Sequence, residues 1–238
     1  MRLSIIIPAY NEEKYLDPTL DALKAALSGI PDQEIIVVDD ESTDRTAEIG
    51  AEFGVRVVQA SAHNIGRVRN LGAAAADGDI FVFIDADTRV KPGLFEKVIE
   101  KMSDRSCAGG SVAVEYGSFE RRKWARTYLD MFRFWGKVFK MRQGAAQFCS
   151  SEVFRELGGY DETIYVGEDI DFHWRLDRLA KRDGKHTVVI EEPPVTTSSR
   201  RFEKMPLWRA FVFTHPVVIF LLWRFRSLWK DWYQNAIR

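Results

Sequence analysis

Residues 79–90 read DIFVFIDADTRV, an apolar run from Ile80 to Ile84 that ends on two aspartates one residue apart, Asp85 and Asp87. Burying an unpaired carboxylate costs on the order of several kcal/mol, so such a strand must emerge where a cation or hydrogen-bond donors meet it. Three other runs share its unbroken Val/Ile character: LSIIIP (3–8), EIIVVD (34–39) and VRVVQA (55–60). Runs of this kind suit parallel strands covered on both faces. Between them lie helix-like stretches. Residues 12–29 set Leu16, Leu20, Leu23 and Leu27 on one face and end at Gly29; residues 42–54 open with capping residues Ser42 to Asp44 and close at Gly54; residues 66–78 end at Gly78. This alternation predicts right-handed βαβ units and an α/β fold with a Rossmann-like, mostly parallel central sheet flanked by helices.

Beyond residue 107 the rhythm changes. GGSVAVEY (109–116) reads as a strand, 119–142 as a basic aromatic helix, AAQFCS (145–150) as a short strand and 151–157 as a helix. A further helix starts near Glu168, and KHTVVI (185–190) is another strand. No repeat and no clean linker interrupts the chain. The expected organisation is one domain over 1–199, with a first half (1–107) for a nucleotide sugar and a second (108–199) for an acceptor, followed by a basic aromatic helical appendage, 200–238.

The 238 residues carry a net charge of −1, but the charge is polarised. Segments 119–142 and 200–238 are each +6, which leaves −13 for the remainder. Two cysteines, Cys107 and Cys149, are too few for a disulfide framework or a zinc motif, and read as reduced thiols. MRLSIIIPAY has the pattern of a strand rather than of a secretion signal, so the expected location is cytoplasmic.

In open parallel sheets, ligands bind beyond the carboxyl ends of the strands. Three strands here end in acid at that edge: Pro8-Ala9-Tyr10-Asn11-Glu12, Asp39-Asp40-Glu41-Ser42 and Asp85-Ala86-Asp87. One such carboxylate could be a helix cap. Three together repel each other without a cation, and hard oxygens without clustered His or Cys favour Mg²⁺ or Mn²⁺, which bridge to phosphates. Arg67, Arg69 and Asn70 in HNIGRVRNLG (63–72) supply positive groups and donors for a phosphate around a helix start. No G-x-x-x-x-G-K-[ST] and no G-x-G-x-x-G after the first strand is present.

Taken together, IIIPAYNE, VVDDESTD, GRVRNLG, the D-x-D of DADT and GGYDE…GEDIDF resemble the family 2 glycosyltransferases of the GT-A fold, over about residues 1–175. The resemblance implies inverting transfer of one sugar from a nucleotide diphosphate sugar. It places Pro8, Tyr10, Glu12, Asp39 and Asp40 on the base and ribose, with Ala9 and Ala86 in the same loops. Asp85 and Asp87 would hold ribose and the metal on the diphosphate, and Arg200 and Arg201 would reach back over the diphosphate. Asp169, beside Glu168, would stand at the catalytic base. The residues themselves leave a conflict there, since a helix N-terminus lowers a carboxylate's pKa and a base wants it raised. Two departures stand out: Glu41 occupies a position that is often Gly in the family, and the Q-x-x-R-W motif of polymer-making members is absent.

The basic aromatic segments suit an anionic membrane surface, which would bring the site to a lipid phosphate acceptor. The apolar stretch 211–223 is too short to span a bilayer. The competing readings for these segments are core packing or a homodimer contact; no nucleic-acid-binding motif appears. For the whole chain, the rivals are a sugar-phosphate nucleotidyltransferase, disfavoured by PAYNEEKY where a Gly-rich basic loop belongs, and a glycan- or sugar-nucleotide-binding protein without catalysis.

Overall fold

The computed structural model describes residues 1–117, 144–200 and 222–225. Along the chain run β1 (Leu3–Ala9), α1 (Leu16–Ala26), β2 (Gln33–Asp40), α2 (Thr46–Glu52), β3 (Arg56–Ala60), α3 (Ile65–Ala74), β4 (Ile80–Ile84), β5 (Thr88–Arg89) and α4 (Leu94–Ser103). Then follow β6 (Cys107–Tyr116), β7 (Ala146–Ser150), α5 (Ser151–Leu157), α6 (Glu168–Arg182) and β8 (His186–Thr197). The expected helix over 119–142 and most of the 200–238 appendage lie outside the described residues.

One sheet of eight strands has the order β3-β2-β1-β4-β7-β6-β8-β5. The four strands read first from the sequence pair in parallel, β1 against both β2 and β4 and β2 against β3. Their carboxyl ends therefore share one edge. The second half is more mixed than expected: β7 runs antiparallel to both β4 and β6, while β6 and β8 are parallel.

Alternation along the central strands sorts the core into two layers. Leu3, Ile5 and Ile7 of β1 and Ile80, Val82 and Ile84 of β4 join Leu16, Leu20 and Leu23 of α1 and Phe95 and Val98 of α4. On the other face Ile6, Phe81 and Phe83 pack with Val68 of α3, Phe154 of α5 and Phe172 and Leu176 of α6. Both faces are dry, which is why these strands read as continuous apolar runs rather than as alternating ones. Helix α4 was not anticipated, although Leu94, Phe95, Val98 and Met102 bury one helical face of it. Strand β8 also runs further than expected. Its Pro193 and Pro194 fall where the β6 register jumps from Val112–Ile190 to Val114–Val195, an irregularity at which missing ladder donors do no harm.

Helix α3 approaches β1 and β2 through Gly72. A Cβ there would press into Ile6 and lie 2.8 Å from Cγ2 of Val38. Gly72→Ala gains roughly 1 kcal/mol of helix propensity, but overpacking a dry interface costs about 1–3 kcal/mol. The close approach wins, so the variant should melt lower than wild type; an equal or higher melting temperature would contradict this packing.

Candidate active site

Two of the acidic loops form one wall. The loop after β1 is stapled to the loop after β2: Asn11 N donates to Ser42 Oγ (2.8 Å), Thr43 N to Asn11 Oδ1 (2.8 Å), and Glu12 N to Thr46 Oγ1 (2.7 Å). Ser42 to Asp44 therefore do more than open α2, whose N-cap residue Arg45 makes no side-chain cap. The wall includes two non-glycine residues in the left-handed region, Asn11 (φ 55°) and Glu41 (φ 59°). This backbone explains why glycine suits the Glu41 position. Glu41 holds it with a carboxylate 2.9 Å from Nε2 of His63, a residue also left-handed at φ 48°. The His63 ring meets Tyr10 edge-on, with centroids 6.1 Å apart.

The adjacent aspartates of β2 have separate tasks. Asp40 accepts from the backbone N–H groups of Ala62 (2.6 Å) and His63 (2.9 Å), so it holds the loop after β3. Asp39 is buried at 2% exposure, and its Oδ1 has no hydrogen-bond partner among the described residues. A buried acceptor left unmatched carries a penalty of about 1–3 kcal/mol, which a ligand N–H or O–H would relieve. Pro8 and Ala9 lie directly opposite Val38 and Asp39 in the β1–β2 register.

Asp85 and Asp87 flank a tight turn in which Thr88 N donates to Asp85 O, and the carbonyl of the buried Ala86 accepts from Thr19 Oγ1 of α1. The group opposite Asp85 is Arg69. Its guanidinium, only 1% exposed, donates 2.8 Å to Asp85 Oδ1 and 2.6 Å to Glu168 Oε1, and lies 5.2 Å from the Tyr160 ring centroid. Burial alone would lower the arginine's pKa; the negative groups around it, Asp85 first, raise it instead, so the charge is permanent. Arg69 thus sits inside the protein as a strut between strand end and helix start. Asn70 is committed to residues 160–162, donating to Tyr160 O (3.0 Å) and Glu162 Oε1 (3.0 Å) and accepting from Tyr160 N (2.8 Å). Arg67 is half-exposed beside Glu162, and Asn64 caps the start of α3 through Arg67 N (2.9 Å). The α3 start therefore holds the loop of residues 158–164, and of its three candidates only Arg69 contacts the aspartate edge.

Helix α6 starts after Gly167 in the left-handed region (φ 83°) and places Glu168 and Asp169 in its first turn. Asp169 Oδ2 accepts from Gly144 N (2.6 Å), its Oδ1 from Ile170 N (2.8 Å), and its carbonyl from Gln147 Nε2 (3.0 Å). Desolvation first, and the charge of Glu168 second, push its carboxyl up to about 7, against the lowering pull of Arg69 and the two backbone donors. At this helix start the raising effect of burial outweighs the lowering effect of the backbone donors. Gly144 permits this approach, because a Cβ there would collide with the Asp169 side chain.

Arg200, just past β8, closes the edge. It donates to both Glu12 oxygens (2.8 and 2.7 Å), pairs with Asp87 Oδ2 (3.0 Å), and stacks 4.3 Å from the Tyr15 centroid. The tertiary fold thus gathers Glu12, Asp39, Asp85, Asp87, Glu168, Asp169 and Arg200 around the carboxyl ends of β1, β2 and β4; Arg201 lies outside the described residues. Neither the Glu41–His63 pair nor Gly144 was anticipated. The signal for Glu41 was its departure from glycine, whereas nothing local marks Gly144.

Residues 4–158 match the family model described as Glycosyl transferase family 2. A dolichol-phosphate mannosyltransferase of Pyrococcus furiosus is 36% identical over 136 residues, covering 55% of this chain and 38% of that relative. Among solved structures, a mannosyltransferase from Pyrobaculum calidifontis in complex with GDP-Man and Mn²⁺ superposes with a TM-score of 0.68 at 18% identity, over 97% of this chain and 64% of that one. Residues 1–349 of Staphylococcus aureus TarS in complex with UDP-GlcNAc give 0.65 at 18% identity, over 87% and 62%. The chain therefore spans about two-fifths of the length of that curated relative and somewhat under two-thirds of the solved chains.

Proposed function

The chain belongs to glycosyl transferase family 2, and from that premise we propose that it moves one hexose, mannose or glucose, from a GDP- or UDP-sugar to a lipid phosphate, with inversion at the sugar's anomeric carbon. The observation that carries the reading is the Arg69 strut. It holds Asp85, at the D-x-D, and Glu168, beside Asp169, to a single guanidinium although they are 83 residues apart in sequence. A donor's phosphate end and an acceptor's nucleophile must meet within such a span.

Each group then has a task. Asp39 Oδ1 takes a nucleobase or ribose donor, which matches its unmet acceptor. Among the described residues no three His, Cys, Asp or Glu side chains converge into a metal cage. Asp87 nonetheless already holds a cation, Arg200, and its oxygen donors fit Mg²⁺ or Mn²⁺ completed by water and phosphate oxygens. Asp87 with Asp85 would hold that ion, which supplies charge stabilisation for the departing nucleotide diphosphate. Asp169, with its raised pKa, accepts a proton from a hydroxyl acceptor, or orients an acceptor phosphate that is already ionised. The P. furiosus relative's dolichol-phosphate acceptor supports the lipid phosphate, as does the charge of the two basic segments. No helix among the described residues is long and apolar enough to cross a membrane. Peripheral contact with the bilayer is proposed from the charge of the two basic segments.

The test is thermal unfolding with UDP, GDP, CMP or dTDP, each with Mn²⁺ and with EDTA. A ligand at a hundred times its Kd stabilises by ~2.7 kcal/mol. We expect GDP or UDP to raise the melting temperature only with metal, and the matching sugar nucleotide to be turned over with polyprenyl phosphate in vesicles. No shift with any nucleotide would remove the transferase reading.

A further inference from the structure

The contacts of Arg200 carry an inference that rests on the metal–nucleotide reading above. We propose that Arg200 is the resident counter-ion of the metal seat, displaced from Asp87 when the divalent ion arrives, so that metal and nucleotide bind as a unit and the metal alone binds weakly.

The geometry is that of a nearly closed ion cluster. The side chains of Glu12, Arg200 and Asp87 are 5%, 12% and 15% exposed. Arg200 reaches both carboxylates with one guanidinium and lies against the Tyr15 ring, so it is packed as well as paired. Asp87 is further fixed from β8: Thr197 Oγ1 donates to its Oδ1 (3.3 Å) and Ser198 N to its carbonyl (3.2 Å). The Arg200 backbone N–H is itself held by Ser198 Oγ at 3.2 Å.

Among the described residues, one positive charge, Arg200, faces the two carboxylates of Glu12 and Asp87 here. A divalent ion replacing Arg200 on Asp87 improves that balance. It also leaves Arg200 paired with Glu12 alone and strands the N–H that had given up water to reach Asp87, and an unmatched donor on a charged group in a part-buried site is costly. A nucleotide diphosphate removes this penalty, because it offers Arg200 anionic oxygens beside the seat it vacates. Metal binding without nucleotide must therefore work against Arg200, and metal binding with nucleotide does not. By linkage, the nucleotide binds more tightly with metal to the same degree.

The experiment measures free Mn²⁺ by electron paramagnetic resonance during titration of the full chain, with and without GDP or UDP. It compares wild type with Arg200→Gln, Arg200→Lys and Asp87→Asn, each checked by its melting curve. Arg200→Gln should bind Mn²⁺ alone about tenfold or more tightly than wild type, the size expected from removing a charged hydrogen bond to the seat. It should also lose most of the tightening that nucleotide confers. Arg200→Lys keeps the charge but not the fork that spans Glu12 and Asp87, and should fall between the two. If Arg200→Gln does not fold with Glu12 unpaired, the lysine variant still decides, by binding Mn²⁺ alone more tightly than wild type. Asp87→Asn should abolish tight Mn²⁺ binding.

Mn²⁺ affinity unchanged or weakened in the folded Arg200 variants, with the wild-type ternary complex intact, would overturn the exchange and leave the proposed function standing. Absence of any Mn²⁺–nucleotide complex in wild type would overturn both.

Discussion

Asp169→Asn should lower transfer to a hydroxyl acceptor by roughly 10²–10⁴-fold, the usual contribution of a positioned general base. The substitution keeps the shape and one of the two oxygens that accept from backbone N–H groups but turns an amide donor toward the other, so a melting curve of the variant is needed to separate lost chemistry from lost folding. The pH dependence carries the sharper signature. Asp169 is held up to about 7 by desolvation and by Glu168, so it is protonated below that pH and competent above it. Wild-type activity toward a hydroxyl acceptor should rise with pH through about 7, and the residual activity of the variant should lack that limb. Stability should move the other way. A carboxyl whose folded pKa exceeds its unfolded value stabilises the protein at low pH, and that contribution fades as pH climbs from about 4 through 7. Asp169→Asn should therefore gain on wild type in melting temperature between pH 5 and pH 8. With a phosphate acceptor, ionised at neutral pH, the rate loss should be much smaller. Equal losses for both acceptor classes would show that Asp169 does not act on the acceptor's proton.

The second large effect is on stability. Arg69→Met leaves Glu168 (side chain 9% exposed) and Asp85 (31%) without their shared cation. Removing one partner of a buried ion pair costs about 3–5 kcal/mol, much more than the pair's net contribution. The expected result is a fall of that size in denaturant unfolding at pH 7.5. Arg69→Met with Glu168→Gln should recover part of the loss, because the most buried of the stranded charges is then gone; the double variant's change minus the sum of the Arg69→Met and Glu168→Gln changes is their coupling. The same cycle reads out the site. Loss of Arg69 removes a group that holds the Asp169 carboxyl down, and loss of Glu168 removes one that pushes it up. The activity limb should move to higher pH in Arg69→Met and to lower pH in Glu168→Gln alone. A change under 1 kcal/mol with an unmoved limb would show that the strut supports neither fold nor chemistry.

Much of this fold was legible because its signals are local. Ile80 to Ile84 and Ile5 to Ile7 are buried on both faces, and an unbroken apolar run is the direct imprint of that environment. The acidic strand ends were legible too, since parallel pairing forces β1, β2 and β4 to finish together. The pattern of the two basic aromatic segments suits a membrane surface, core packing or a dimer contact, and the segments fall largely outside the described residues. Helix α4 was missed although Leu94, Phe95, Val98 and Met102 recur at helical spacing. The antiparallel insertion of β7 was missed because a five-residue strand has the same composition in either direction.

What the sequence by itself determined is the set of chemical groups and the edge that presents them: three acidic strand ends, a G-E-D at a helix start and a basic residue past the last strand. Only the tertiary structure decided which charge answers which. Arg69, expected at a phosphate, is buried against Glu168, 99 residues away, while Arg200 reaches back 188 residues to Glu12 and sits on Asp87. Strand and helix patterns arise from neighbours in the chain, whereas a buried charge takes whichever partner the fold brings within hydrogen-bond reach. That partner follows from the packing of α3, α6 and β8 around the sheet rather than from any spacing in the sequence.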